Sequence, residues 1–145
     1  MQGGDLYITL KQRAENCFSE AETRFIAAEV CLALCHLHDQ GIIFRDLKPE
    51  NVMFDRFGHI RLIDFGLAKQ NISDIDRIDR LTVCGTPIYM SPETVAGLTV
   101  GSVQTAHPQA TDWWAFGTLI YEMIFGKPPF SAPSFDKLTA KIARN

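Results

Sequence analysis

The chain has 145 residues, 46% of them hydrophobic, and a formal net charge of −3 at pH 7. That length holds one ordinary domain, and that apolar fraction excludes an intrinsically disordered chain. The mildly acidic balance excludes the basic footprint of a nucleic-acid or membrane-surface binder.

No charged region followed by an apolar stretch opens the chain, so no signal peptide is expected. Asp5–Arg13 reads as a short helix behind a Gly-Gly pair. Ser19 followed by Glu22 is a capping box, in which each side chain satisfies a backbone donor at a helix start. Ile26, Val30, Ala33, Leu34 and Leu37 then recur at helical spacing. Gly41 suits the left-handed residue that ends a helix, so Glu20–Gln40 is predicted as a long amphipathic helix. Cys31 and Cys35, one turn apart within it, read as small buried hydrophobes. With Cys17 and Cys84 they make no paired zinc spacing and no disulfide framework, which suits a reducing cytosol or nucleus.

Short pieces follow. Val52–Phe54 and His59–Ile63 are predicted strands, joined by the turn Asp55–Gly58. Lys69–Arg80 is polar and reads as solvated. Asp112–Gly126 is apolar nearly all round, the mark of a buried helix. Its Trp113–Phe125 core is the longest apolar run, too short to span a bilayer and interrupted by Glu122. Pro128-Pro129 stops it, and Phe135–Asn145 begins another helix.

Two phrases carry chemistry: Phe44-Arg45-Asp46-Leu47-Lys48-Pro49-Glu50-Asn51 and Asp64-Phe65-Gly66. They supply a proton acceptor in Asp46, a cation in Lys48 and two oxygen ligands for magnesium in Asn51 and Asp64. Phosphoryl transfer needs that set, because its catalysis is mostly positioning and charge neutralisation. An isolated Arg-Asp pair would be an ordinary polar turn. Eight residues in register, followed by Asp-Phe-Gly, are not.

The two phrases resemble the protein-kinase signature. The chain is similar to the C-terminal lobe of a eukaryotic serine/threonine protein kinase. Lys48-Pro49-Glu50 is the serine/threonine form of the catalytic loop, and Thr82-Val83-Cys84-Gly85-Thr86-Pro87 resembles the activation segment of the AGC group. Ser91-Pro92-Glu93 resembles the family's Ala-Pro-Glu, and Asp112–Gly117 its buried supporting helix. Within the AGC group the likeness is greatest to the ribosomal protein S6 kinases. The implied fold is α+β, mainly α, with a small β-hairpin at the active edge. The implied span is a partial kinase domain over residues 1–145, from the interlobe hinge to about the helix the family calls αG.

The resemblance implies roles residue by residue. Asp46 and Lys48 are catalytic, and Asn51 and Asp64 hold Mg2+. Asp5, Met53 and Asp64 lie at the ATP site. Thr82 is the activation-loop phosphosite, and Arg45 and Lys69 are the pocket for its phosphate. Thr86 hydrogen-bonds near Asp46 and Lys48. Asp5, Glu50 and Glu122 read basic residues before the phosphorylated site, although an exposed carboxylate is the plain alternative for each. Phe65, Gly66, Glu93 and Asp112 are structural, Asp112 accepting from the catalytic-loop backbone or simply capping its helix. Protein substrates and an upstream activating kinase are the implied partners.

Four departures stand out. Phe44 replaces the usual histidine, Ser91 replaces alanine, and Thr94–Thr111 is long, with Gly97–Ser102 read as a flexible surface insertion. The 145 residues also hold no glycine-rich phosphate loop and no strand lysine with its helix glutamate. The implied function is ATP-dependent phosphorylation of Ser/Thr hydroxyls, with little activity expected from these residues alone. The alternative is a catalytically inactive half-kinase that docks substrates or partners.

Overall fold

A computed structural model describes residues 3–70, 86–100 and 107–144, with the side chains of 98–100 left aside. Five α-helices form the bulk of the regular structure: α1 (Leu6–Lys11), α2 (Glu20–Asp39), α3 (Pro92–Val100), α4 (Ala110–Phe125) and α5 (Phe135–Ile142). Four short strands pair into two antiparallel ladders. β2 (Val52–Phe54) joins β3 (Ile60–Leu62), and β1 (Ile42–Ile43) joins β4 (Lys69–Gln70). The mainly helical architecture with its small hairpin is the expected one.

The helix starts follow local chemistry. Asp5 caps α1 by accepting from the Ile8 amide at 2.7 Å. Ser19 and Glu22 form the full capping box on α2. The Glu22 carboxyl is held down at about pKa 2 by the Ser19 hydroxyl and amide, helped by Arg13. Ser19→Ala removes the acceptor for the Glu22 amide and is expected to lower stability by about 1 kcal/mol. A chemical-denaturation midpoint that does not move would contradict this.

At the other end, Gly41 follows the cap residue Gln40 with φ +68. Gly126 ends α4 with φ +68, and a Cβ there would lie 2.4 Å from the Glu15 carbonyl oxygen. Glycine is therefore required at that position for both conformation and space.

The main core lies where α2 crosses α4. Ile26, Val30 and Leu34 of α2 meet Ala115, Leu119 and Met123 of α4, with Leu6, Leu10, Phe44, Leu47 and Val52 closing the sides. A second cluster joins Met90, Val95, Leu138 and Ile142, covered by Trp114 and Phe130. α4 is thus buried along one face rather than all round, and Phe125 on its other side is exposed.

The structure corrects several other expectations. Residues 97–100 are not a flexible insertion but the end of α3. The Ser91 hydroxyl accepts from the Thr94 amide, its carbonyl from Val95, and Pro92 sits in the first turn, so Ser91-Pro92-Glu93 starts a helix as well as forming a motif. Residues 101–106 and the polar stretch after Gln70 lie outside the described residues. Lys69 and Gln70 are in a strand, paired with Ile43 and Ile42. Cys35 is exposed and Cys31 only partly buried, because the core face of α2 is Thr23, Ile26, Val30 and Leu34.

A carboxylate of α2 locks the hairpin turn. Glu29 bonds the His59 ring at 2.5 Å with one oxygen and accepts from the Ile60 amide at 2.8 Å with the other. Asp55 accepts from the amides of Phe57 and His59 and pairs with Arg61, which is why the strand begins at Ile60 rather than His59. The bond to Glu29 raises the His59 pKa. Burial works to raise that of Glu29, but the Ile60 amide and the His59 ring lower it.

The His59 contribution is full below its ordinary 6.5 and fades as pH rises through its raised value. The Glu29 contribution is full above its ordinary 4.5 and fades as pH falls through its lowered value. The lock is therefore strongest between pH 4.5 and 6.5. Glu29→Gln is expected to flatten the fall in thermal midpoint above that window. Parallel pH profiles for the two proteins would refute the lock.

Candidate active site

The loop from Phe44 to Asn51 is hung from α4. Asp112, only 1% exposed, accepts from the Phe44 amide at 2.9 Å and the Arg45 amide at 2.8 Å. Its Oδ2 also bonds His38 Nε2 at 2.8 Å, at the end of α2. One carboxylate thus ties two helices to the loop. Asp112 stands inside α4, not at its cap, which is Gln109. Its role is the backbone anchor rather than the helix cap. The bonds also hold Arg45 at φ +67, a conformation that costs a non-glycine residue about 1–3 kcal/mol unless its surroundings enforce it.

Asp46 follows and is 7% exposed. Its Oδ2 receives the Lys48 ammonium at 2.8 Å and the Asn51 amide nitrogen at 2.9 Å. The same Asn51 nitrogen donates to the Asp46 carbonyl at 2.8 Å. Oδ1 makes no bond among the described residues and is the oxygen available to a proton. Two cationic or donor groups on one oxygen orient the carboxylate and leave the other oxygen unbonded among the described residues.

Asn51 has both its bonds on the amide nitrogen, which leaves its side-chain oxygen for a cation. Its backbone carbonyl accepts from Ile63 at 3.0 Å, which brings the neighbouring Asp64 alongside. Asp64 has φ +62, and its Oδ1 accepts from the Gly66 amide at 3.1 Å, so Oδ2 remains for a ligand. Two such oxygens fit magnesium, which keeps several waters and takes one or two protein oxygens together with substrate phosphates. No cluster of three or more His, Cys, Asp or Glu suited to a metal occurs among the described residues.

Phe65 stacks edge-on against Phe44 at 5.3 Å, so the aromatic ring that stands in place of histidine supports the Asp64 turn. Arg45 Nε donates to the Leu67 carbonyl at 2.6 Å and ties the two loops together. The pairing of Ile43 with Lys69 places Lys69 near Arg45. Thr82 lies outside the described residues, so its pocket is not seen.

Asp5 and Met53 face each other across an isolated bridge, and α1 packs on the Pro49–Asn51 turn. Met53 and Asp5 therefore border the catalytic loop. One oxygen of Asp5 is taken up in capping α1. Glu50 is exposed, but Glu122 is 6% exposed and accepts from the Tyr89 hydroxyl. The plain reading of Glu122 as a solvated carboxylate is thereby overturned. Burial, then Glu122 and finally the charge of Glu50, push the Tyr89 pKa up. Thr86 makes no hydrogen bond to Asp46 or Lys48. The Lys48 ammonium turns instead to the nearest anion, Asp46. Glu93 sits half-buried in the first turn of α3, with no ion pair among the described residues.

Two of these residues escape sequence reading. His38 meets Asp112 across 74 positions, and nothing local in its flank announces that contact. Tyr89 lies between the Thr86-Pro87 and Ser91-Pro92-Glu93 phrases, and that position was its only signal.

The mainly helical lobe thus hangs an Asp–Lys–Asn loop beside an Asp-Phe-Gly turn. The chain belongs to the protein kinase domain family, whose sequence profile matches residues 1–145. It is 45% identical, over 97% of its length, to a "cAMP-dependent protein kinase, catalytic subunit-like" protein of Caenorhabditis briggsae. It is 40% identical over 99% of its length to "Ribosomal protein S6 kinase beta" of Caenorhabditis elegans. It is 42% identical over 98% to "Serine/threonine-protein kinase YPK1" of Saccharomyces cerevisiae. These relatives are AGC-type kinases, as the activation-segment phrase implied. The chain spans only 32%, 24% and 19% of their respective lengths.

Proposed function

We propose that this chain carries the catalytic loop of an AGC-type serine/threonine protein kinase, which transfers the γ-phosphoryl group of ATP to Ser or Thr hydroxyls of protein substrates. The observation that supports it most is the Asp46 carboxylate, pinned through Oδ2 by Lys48 and Asn51 with Oδ1 left open. Asp46 accepts the hydroxyl proton as the substrate oxygen attacks, and Lys48 neutralises phosphate charge. Asn51 and Asp64 hold magnesium, whose part is to offset the negative charge of the phosphates. Asp5 and Met53 border the nucleotide. Phosphorylation of Thr82 by an upstream kinase adds nearly two negative charges, which Arg45 and Lys69 receive.

Glu50 and Glu122 favour substrates with basic residues before the acceptor. The test is phosphate transfer by the longest natural product containing this chain. Peptides with arginines ahead of a serine are compared with the same peptides carrying tyrosine or lacking the arginines. Magnesium-dependent transfer to the arginine–serine peptide is expected, and Glu50→Gln should weaken the arginine preference. Equal transfer to the tyrosine peptide, or none to any peptide, would sink the proposal.

A further inference from the structure

The outer surface of α2 carries a feature that kinase chemistry does not use. Cys31 and Cys35 are one helical turn apart, both thiols are free, Cys35 is exposed and Cys31 partly so. They share the solvent side with Leu32, which is 71% exposed, away from the core face formed by Ile26, Val30 and Leu34.

Side chains four apart on a helix have Cβ atoms about 5–6 Å from each other. A disulfide needs about 3.5–4.5 Å between its Cβ atoms. A direct S–S bond would therefore have to distort α2 in its middle. A bridge lengthened by one atom would not. Among the described residues no third ligand completes a four-coordinate zinc-type cluster.

We propose that Cys31 and Cys35 form a solvent-facing dithiol site on α2 that takes a soft, thiophilic centre with two exchangeable positions, of the trivalent organoarsenical class. In the reaction an arsenic(III) oxide, R–As=O, condenses with the two thiols. Two As–S bonds form, both S–H bonds break, and the oxygen leaves as water with the two protons. Arsenic remains trivalent, so no oxidant or reductant is needed. Desolvation, then Cys31 and Asp39, raise the Cys35 pKa, which keeps it protonated and slow towards single-site alkylating agents. Selectivity then comes from chelation, since the second As–S bond closes within one molecule.

Phenylarsine oxide is the probe, added to the 145-residue chain in the presence of excess monothiol and read by intact mass. One bound arsenical per chain is expected, released by 2,3-dimercaptopropanol. Cys31→Ser or Cys35→Ser should weaken retention by about 10²–10⁴-fold, the usual gain from making a second contact intramolecular. The double variant Cys17→Ser, Cys84→Ser should bind as the parent does, with circular dichroism reporting the helix in every case. Retention that survives Cys31→Ser, or that disappears in the Cys17→Ser, Cys84→Ser variant, would overturn the proposal.

Discussion

Asp46→Asn is expected to lower kcat for phosphate transfer by about 10²–10⁴-fold, the usual effect of removing a general base. The substitution is nearly isosteric, and Lys48 and Asn51 still need an acceptor where Oδ2 stood. The asparagine carbonyl oxygen takes that place. Its amide nitrogen is then forced to the position of Oδ1, so a donor faces the substrate hydroxyl where an acceptor is required. ATP affinity should change little, because Asn51 and Asp64 are untouched. The measurement is kcat and the KM for ATP in the longest natural product containing this chain. An unchanged kcat would remove Asp46 from the chemistry. A changed KM with unchanged kcat would make it a binding residue only.

Asp112→Ala is expected to have the largest effect on stability. It leaves the Phe44 and Arg45 amides without an acceptor beneath α4. Each unsatisfied buried donor costs about 1–3 kcal/mol. The positive φ of Arg45 also loses the bonds that enforce it. Asp112→Asn should be milder, since it retains one acceptor oxygen. His38→Ala should be milder still, because it removes one partner of the carboxylate and leaves both backbone bonds. That ranking, read from denaturation midpoints, separates a backbone anchor from a residue that merely fills space. Equal midpoints for Asp112→Ala and the parent would refute the anchor.

The helices that local rules describe well were legible. The capping box at Ser19 and the apolar spacing from Ile26 to Leu37 place α2, and Gly41 and Gly126 mark ends that the backbone confirms with positive φ. The start of α3 was also written locally, in Ser91 and Pro92, yet its content of Gly97 and Thr99 suggested a loop. Burial of Val95 against Leu138 and Ile142 outweighs that poor helical composition. The two-residue pairing of β1 with β4 left no trace, since so short a ladder has no periodicity to read.

The identities of the reactive groups were determined by the sequence alone. Asp46, Lys48, Asn51 and Asp64 lie in two short phrases, and within a phrase chain connectivity limits how far apart the groups can be. Only the tertiary structure decided which oxygen of Asp46 is open, that Glu122 is buried against Tyr89, and that Cys31 and Cys35 face solvent. It alone joined His38 to Asp112, and through it to the catalytic loop. The physical reason is that burial and long-range hydrogen bonds depend on which helix faces pack together. That packing is a property of the whole chain, and no local stretch of residues contains it.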